Sequence, residues 1–111
     1  MDHFQYRDGE LYCESIPVAK IAAEVGTPAY IYSKATFVEH YHRLARAFAP
    51  LHPIICYSIK SCGNLQLLKL LQAAGSGFDV TSGGELYRAL QAGGDPNKIV
   101  FAGVGKTDKE I

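Results

Sequence analysis

The apolar positions change period several times along the chain, and each change marks an element. Phe4 and Tyr6, then Asp8-Gly9, then Leu11 and Tyr12 read as a hairpin, because Asp-Gly between alternating apolar residues is a strong turn signal. Ser15, Pro17 and Gly26 punctuate a helix over VAKIAAEV, with Ser as cap, Pro near the first turn and Gly past the last. Residues 29–33 (AYIYS) read as a short strand. From Lys34 to Ala49 the period is helical, with Phe37, Tyr41, Leu44, Ala45 and Phe48 on one face, and Pro50 and Pro53 end it. Residues 53–60 (PIICYSIK) read as a second strand. Asn64 then caps a helix carried by Leu65, Leu67, Leu68, Leu70 and Leu71 and stopped by Gly75. Residues 77–80 (GFDV) are a third strand, about 84–92 a helix ended by Gly93-Gly94, and 99–103 (IVFAG) a fourth strand.

Near-continuous apolar strands alternating with helices predict parallel βα units. The fold class is therefore α/β. The last residues, KTDKEI, read as a helix start with Thr107 and Glu110 at capping-box spacing. The sequence stops one turn into that element, which suggests a piece of a larger βα protein. Its 111 residues cannot make a complete (β/α)8 barrel, which takes roughly 250.

Composition narrows the function classes. Lys plus Arg is 11 and Asp plus Glu is 11, so no basic excess favours nucleic acid or a membrane surface. No apolar run approaches the roughly 18 residues of a span, and MDHFQYRDGE is no signal peptide. Cys13, Cys56 and Cys62 are odd in number and lack metal-ligand spacing, which points to free thiols in a reducing, cytoplasmic setting. His40 and His42 lie about 200° apart around a helix and cannot face one metal together. No metal site is expected.

Candidate chemistry concentrates at the second and third strands. Strand alternation places Ile55, Tyr57 and Ile59 on one face and Cys56, Ser58 and Lys60 on the other. Lys60 lies at the C-terminal end of its strand, where βα folds build active sites. A partly desolvated lysine there is a candidate amine nucleophile. The plainer reading on spacing alone is a side chain carrying its ammonium out to the rim. On the next strand Asp79 and Thr81 face away from Phe78 and Val80, so Asp79 can share Lys60's side and pair with it. Otherwise Asp79 is a polar residue near a strand end. Ser82-Gly83-Gly84-Glu85 is a capping box by default, or Gly-rich backbone able to receive an anion. Gly103-Val104-Gly105-Lys106 carries the same ambiguity.

At Lys60 the residues meet a family. Tyr57-Ser58-Ile59-Lys60-Ser61-Cys62-Gly63-Asn64 resembles the lysine segment of the pyridoxal-phosphate-dependent decarboxylases of alanine-racemase type, whose pattern is close to Y-A-x-K-A-N. Tyr57, Lys60 and Asn64 fit it, while Ser58, Ser61 and Cys62 depart from it. Gly77-Phe78-Asp79-Val80 with Ser82-Gly83-Gly84-Glu85-Leu86 resembles the family's next βα unit, and residues 98–107 (KIVFAGVGKT) the one after. Gly26-Thr27-Pro28-Ala29-Tyr30-Ile31-Tyr32 resembles the entry strand of its diaminopimelate branch. The SGGEL and FAGVGKT wording favours that branch over the ornithine and arginine ones.

The resemblance implies the first part of a pyridoxal-phosphate-binding (β/α)8 barrel over 17–111, with the hairpin of 1–16 belonging to a second, β-domain. It implies Lys60 and Asp79 as catalytic residues and Lys60, Asp79 and Glu85 as cofactor contacts. Lys60 would hold pyridoxal 5'-phosphate covalently, as an internal aldimine, and Asp79 would orient it. Glu85 is also explained by capping alone. The implied reaction is decarboxylation of meso-diaminopimelate to L-lysine in lysine biosynthesis, by a homodimer with a small amino-acid substrate. The family's phosphate loop, the acid facing the pyridine nitrogen and the cysteine acting on the intermediate would lie beyond residue 111, so these 111 residues alone are expected to be inactive. A decarboxylase for another amino acid or a carboxylated polyamine stays open, as does a non-catalytic cofactor-binding or half-barrel module.

Overall fold

The computed structural model describes residues 2–111, in two compact units that divide between His40 and Tyr41. The first unit opens with an antiparallel sheet of β1 (Phe4–Arg7), β2 (Glu10–Cys13) and β3 (Ile16–Pro17), in the order β1-β2-β3. Asp8 and Gly9 both take positive φ, 49° and 81°, which is what a two-residue hairpin turn of the right twist requires. Arg7 pairs with Glu10 across that turn.

Helix α1 spans Val18–Val25 and ends at Gly26, whose N–H donates to the Ala22 carbonyl at 2.9 Å. Its cap is Pro17 and not Ser15, because Ile16 and Pro17 are held in the ladder with β2. Residues 29–33 join no strand, contrary to the sequence reading. An apolar run becomes a strand only where its backbone groups find a ladder. Within the described part of this unit the ladders belong to β1–β3, and Tyr30 is 93% exposed.

Helix α2 (Lys34–Phe48) begins on a tight polar knot. Ser33 is buried, and its hydroxyl accepts from the Thr36 N–H at 3.0 Å, an N-cap geometry. The Glu14 carboxylate, reaching from just past β2, accepts from Ser33 Oγ at 2.8 Å and from the Ala35 N–H at 2.9 Å. Those donors, the Ala35 amide foremost and then the Ser33 hydroxyl, hold the Glu14 carboxyl below its ordinary value.

In the second unit α2 gives way to a 3-10 turn over Ala49–Leu51, because Pro50 cannot continue the ladder of the helix. A parallel sheet follows, in the order β4 (Cys56–Ser58), β5 (Gly77–Val80), β6 (Ile99–Phe101). Between the strands lie α3 (Leu65–Ala73) and α4 (Gly83–Gln91). Tyr57 stands beside Phe78, and Phe78 beside Ile99, so one face of the sheet is wholly apolar. Phe78, Val80, Leu68 and Ala89 are fully buried, with Ile59 at 2% and Ala92 at 5%, and Tyr57, Leu65, Leu86, Ile99 and Phe101 pack around them. The opposite face carries Cys56, Ser58, Asp79 and a half-exposed Val100. The strands are shorter than the sequence suggests: the second covers three residues of 53–60, and the last ends at Phe101. Thr107 and Glu110 form a turn and not a helix, although the side-chain contacts of a cap are made.

Two stability effects follow. A methyl at Gly77 would collide with the Lys98 carbonyl oxygen and stand 2.9 Å from Cys56 Sγ. Gly77→Ala should therefore cost about 3 kcal/mol, read from the urea midpoint, because backbone blocks it on one side. Glu14→Gln should lower the melting temperature at pH 7. A carboxyl depressed in the folded state contributes above its unfolded value and loses that contribution as pH falls through the folded one. The gap between wild type and Glu14→Gln should accordingly close as pH drops below 4.5, the ordinary carboxyl value.

Candidate active site

The loop after β4 decides where Lys60 stands. Ile59 is almost fully buried among the core side chains, and Ile59–Ser61 turns as a 3-10 helix. Burying Ile59 leaves its neighbour Lys60 exposed. Lys60 thus sits just beyond the strand, and not on it as alternation alone suggests. Two hydrogen bonds pin the far side of the loop. The Tyr57 hydroxyl donates to the Cys62 carbonyl at 3.4 Å, and the Arg88 guanidinium of α4 donates to the Gly63 carbonyl at 3.0 Å. Asn64 then caps α3 by accepting from the Gln66 N–H at 2.9 Å.

Asp79 is half-buried and in register with Ser58 on the adjacent strand. Its carboxylate does not pair with Lys60. It accepts instead from the Ser58 hydroxyl, at 2.5 Å. Among the described residues the ion pairs are His3 with Glu39 and Lys20 with Glu24. The energetics favour this outcome. A hydrogen bond to a charged group contributes roughly 1.5–3 kcal/mol. An exposed lysine–carboxylate pair contributes about 0–1 kcal/mol, because the long side chain must be ordered against solvent. Ser58 is short, fixed by the strand and already alongside, so it takes the carboxylate.

Cys56 lies on the same face, its thiol 3.6 Å from the Lys98 carbonyl oxygen. Burial, with the Asp79 charge second, pushes that thiol up from its ordinary value. It is thereby kept protonated. The described residues hold no group of three or more His, Cys, Asp or Glu side chains placed to bind a metal.

The Ser82–Glu85 segment resolves into a cap. The Ser82 hydroxyl accepts from the Glu85 N–H at 3.2 Å. The Glu85 carboxylate reaches one residue further back than a simple capping box, to the Thr81 N–H at 2.7 Å and hydroxyl at 3.0 Å. The Gly83 N–H donates to the Glu110 carboxylate at 2.9 Å. The other Glu110 oxygen accepts from Thr107, through its N–H at 2.9 Å and its hydroxyl at 2.8 Å. The Thr107 backbone and hydroxyl, then the Gly83 N–H, hold this carboxyl below its ordinary range. The anion at this helix start is the chain's own.

Of the residues singled out in the sequence, Lys60 and Asp79 lie at the carboxyl ends of neighbouring parallel strands, while Glu85 stands on α4 and holds Thr81. Ser58 and Glu110 are additions. Ser58 is foreshadowed by its place on the polar face of its strand; Glu110 is not, since its partner Gly83 lies 27 residues away.

Residues 34–111 match the family model described as pyridoxal-dependent decarboxylase, pyridoxal binding domain. The diaminopimelate decarboxylase of Vibrio cholerae is 48% identical over 112 residues, covering 100% of this chain and 27% of that protein. That of Pseudomonas aeruginosa is 48% identical over 111 residues, again with 27% of the relative covered. The chain thus spans about a quarter of the length of the curated relatives it matches. Among solved structures, the diaminopimelate decarboxylase of M. jannaschii in co-complex with L-lysine superposes with a TM-score of 0.93 at 34% identity, covering 98% of this chain and 26% of that one. The match of 34–111 to that family model, with relatives of one name along the whole chain, means that the chain belongs to the pyridoxal-dependent decarboxylase family through its pyridoxal-binding domain.

Proposed function

We propose that the full-length protein decarboxylates meso-diaminopimelate to L-lysine, with pyridoxal phosphate held covalently by Lys60. The observation that carries this is the Lys60 amine, exposed and in no ion pair at the carboxyl end of the parallel sheet. The donor set suits the group. An aldehyde needs a primary amine that no carboxylate has claimed. When bound, the cofactor supplies an electron sink for the pair left on Cα as carbon dioxide departs.

The chain's own residues do the rest. Lys60 would hold the cofactor covalently through its amine. Asp79 orients the reacting end and is catalytic with Lys60. Glu85 supports the cofactor side through the turn it holds at Thr81. The buried Ile59 and the pinned Cys62 and Gly63 carbonyls keep the Lys60 backbone from shifting. The diaminopimelate assignment draws its support from relatives of that name at 48% identity.

The same reading assigns residues 1–16 to a β-domain and 17–111 to the first βα units of the barrel. It makes the working form a homodimer in the cytoplasm. The three free cysteines suit a reducing compartment, and no helix of the described residues is long and apolar enough to cross a membrane.

The full-length protein, loaded with pyridoxal phosphate, should release carbon dioxide and L-lysine from meso-diaminopimelate. Lys60→Ala should lower kcat by about a thousandfold or more. Turnover of ornithine or arginine in preference to diaminopimelate would refute the substrate assignment. Full activity in Lys60→Ala would refute the anchor.

A further inference from the structure

We propose that Arg88 is a positioning residue: by holding the Gly63 carbonyl it keeps the turn that carries Lys60 from flexing at its glycine, and so sets how fast the Lys60 amine captures an aldehyde. This rests on the reading of Lys60 as cofactor anchor and adds to it a residue from a neighbouring helix. The effect runs through a backbone carbonyl, so it does not depend on which side chains the lysine segment carries.

The span from Ile59 to Asn64 is fixed at both ends, by burial of Ile59 and by the Asn64 cap on α3. Between them Lys60 and Ser61 are exposed, and Gly63 has no side chain to restrict it. The Arg88 guanidinium reaches that residue, donating through Nη1 to its carbonyl at 3.0 Å. The stem follows the head. A Cβ placed on Gly63 would stand 3.6 Å from Arg88 Cδ and 3.7 Å from Ile59 Cγ2. The space beside Gly63 is thus bounded by the Arg88 stem and by Ile59, the residue before Lys60. The other bond on this turn, from the Tyr57 hydroxyl to the Cys62 carbonyl, is longer at 3.4 Å and comes from a neutral donor. A charged donor makes the stronger bond.

Arg88 can hold a backbone because its own is held. Ala89, the next residue, is fully buried, and the Arg88 carbonyl accepts from the Ala92 N–H at 3.0 Å as α4 ends. The start of α4 is tied at Ser82, Glu85 and Glu110. A cation in the last turn of a helix is also favoured by the macrodipole. The consequence is kinetic. When the neutral amine captures an aldehyde, a C=N bond forms and the two amine hydrogens leave with the carbonyl oxygen as water. That step needs the amine at one place, and a displacement of about 1 Å can cost on the order of a hundredfold in rate.

The test uses the full-length protein stripped of cofactor, then exposed to increasing pyridoxal phosphate. Borohydride reduction at set times fixes the adduct, and peptide mass spectrometry reads the label on Lys60. Arg88→Met keeps a stem and loses the donor. It should lower the maximal labelling rate about tenfold and leave the half-saturating concentration within about twofold. Arg88→Ala should slow labelling likewise, and millimolar methylguanidinium should restore much of the lost rate. Gly63 lies outside the left-handed region and has room for a methyl, so Gly63→Ala restricts the turn without Arg88. In the Arg88→Met background it should recover part of the rate. An unchanged maximal rate in Arg88→Met overturns the proposal, even if the melting temperature falls, because Arg88 would then be structural only. A slowed rate that neither methylguanidinium nor Gly63→Ala recovers also overturns it, since the loss would not lie in the hold on Gly63. So does a change confined to the half-saturating concentration, which would place Arg88 on the ligand and not on the turn. Absence of label on Lys60 in the unsubstituted protein is a different failure. It removes the anchor reading itself, and the role of Arg88 with it.

Discussion

Burial of Ile59 is the constraint from which the candidate site follows. Its side chain joins the core formed by Phe78, Val80, Leu68 and Ala89, at the point where β4 ends. Fully burying such a side chain contributes roughly 1.5–3 kcal/mol, more than any single exposed contact nearby could oppose. Once Ile59 is committed inward, the chain has to turn, and the residue after it is presented to solvent. The lysine's position is thus a packing result before it is a chemical one. The Tyr57 hydroxyl and Arg88 guanidinium both act on the same short loop, so the backbone after Lys60 is held while its side chain stays exposed.

The parallel register adds a second constraint. Because β4 and β5 are aligned Tyr57 to Phe78 and Ser58 to Asp79, the aromatic pair and the polar pair fall on opposite faces. A slip of one residue would send Asp79 into the core and Phe78 out of it. Gly77 also lies close against the Lys98 backbone just before β6, where a side chain would not fit. Core packing and site assembly therefore depend on one alignment, and a change that loosens either would be felt in both.

Much of this was legible in the residues. The Asp8-Gly9 hairpin, the Asn64 and Ser82 caps and the Phe78/Val80 face follow from short-range rules that act within a few positions. What was not legible depends on partners distant in sequence. Residues 29–33 have strand composition but gain no ladder, and Lys34–Phe48 has its helix set partly by Glu14, 21 residues before Ala35. The alternation of 53–60 correctly places Ser58 beside Asp79, yet it breaks at Ile59, because core burial overrides the period of two. The Lys60–Asp79 pair expected from opposite charge on neighbouring strands loses to a serine that is shorter and nearer. Charge complementarity names candidates; reach and ordering cost choose among them.

The start of α4 shows the same logic applied to anions. A helix start offers unpaired N–H groups and a partial positive charge, and glycines there leave room for a ligand. Ser82-Gly83-Gly84 has that composition. Here two of these N–H groups are taken up by the chain itself, Gly83 by Glu110 and Glu85 by Ser82, while the Glu85 carboxylate turns back to Thr81. Two acidic side chains at one helix start interact favourably with the macrodipole. They also tie three segments together: the end of β5, the first turn of α4 and the stretch after β6. A glycine-rich helix start can therefore be a junction of the fold. Whether it binds ligand or chain is decided by whether a carboxylate elsewhere in the sequence reaches it, as Glu110 does.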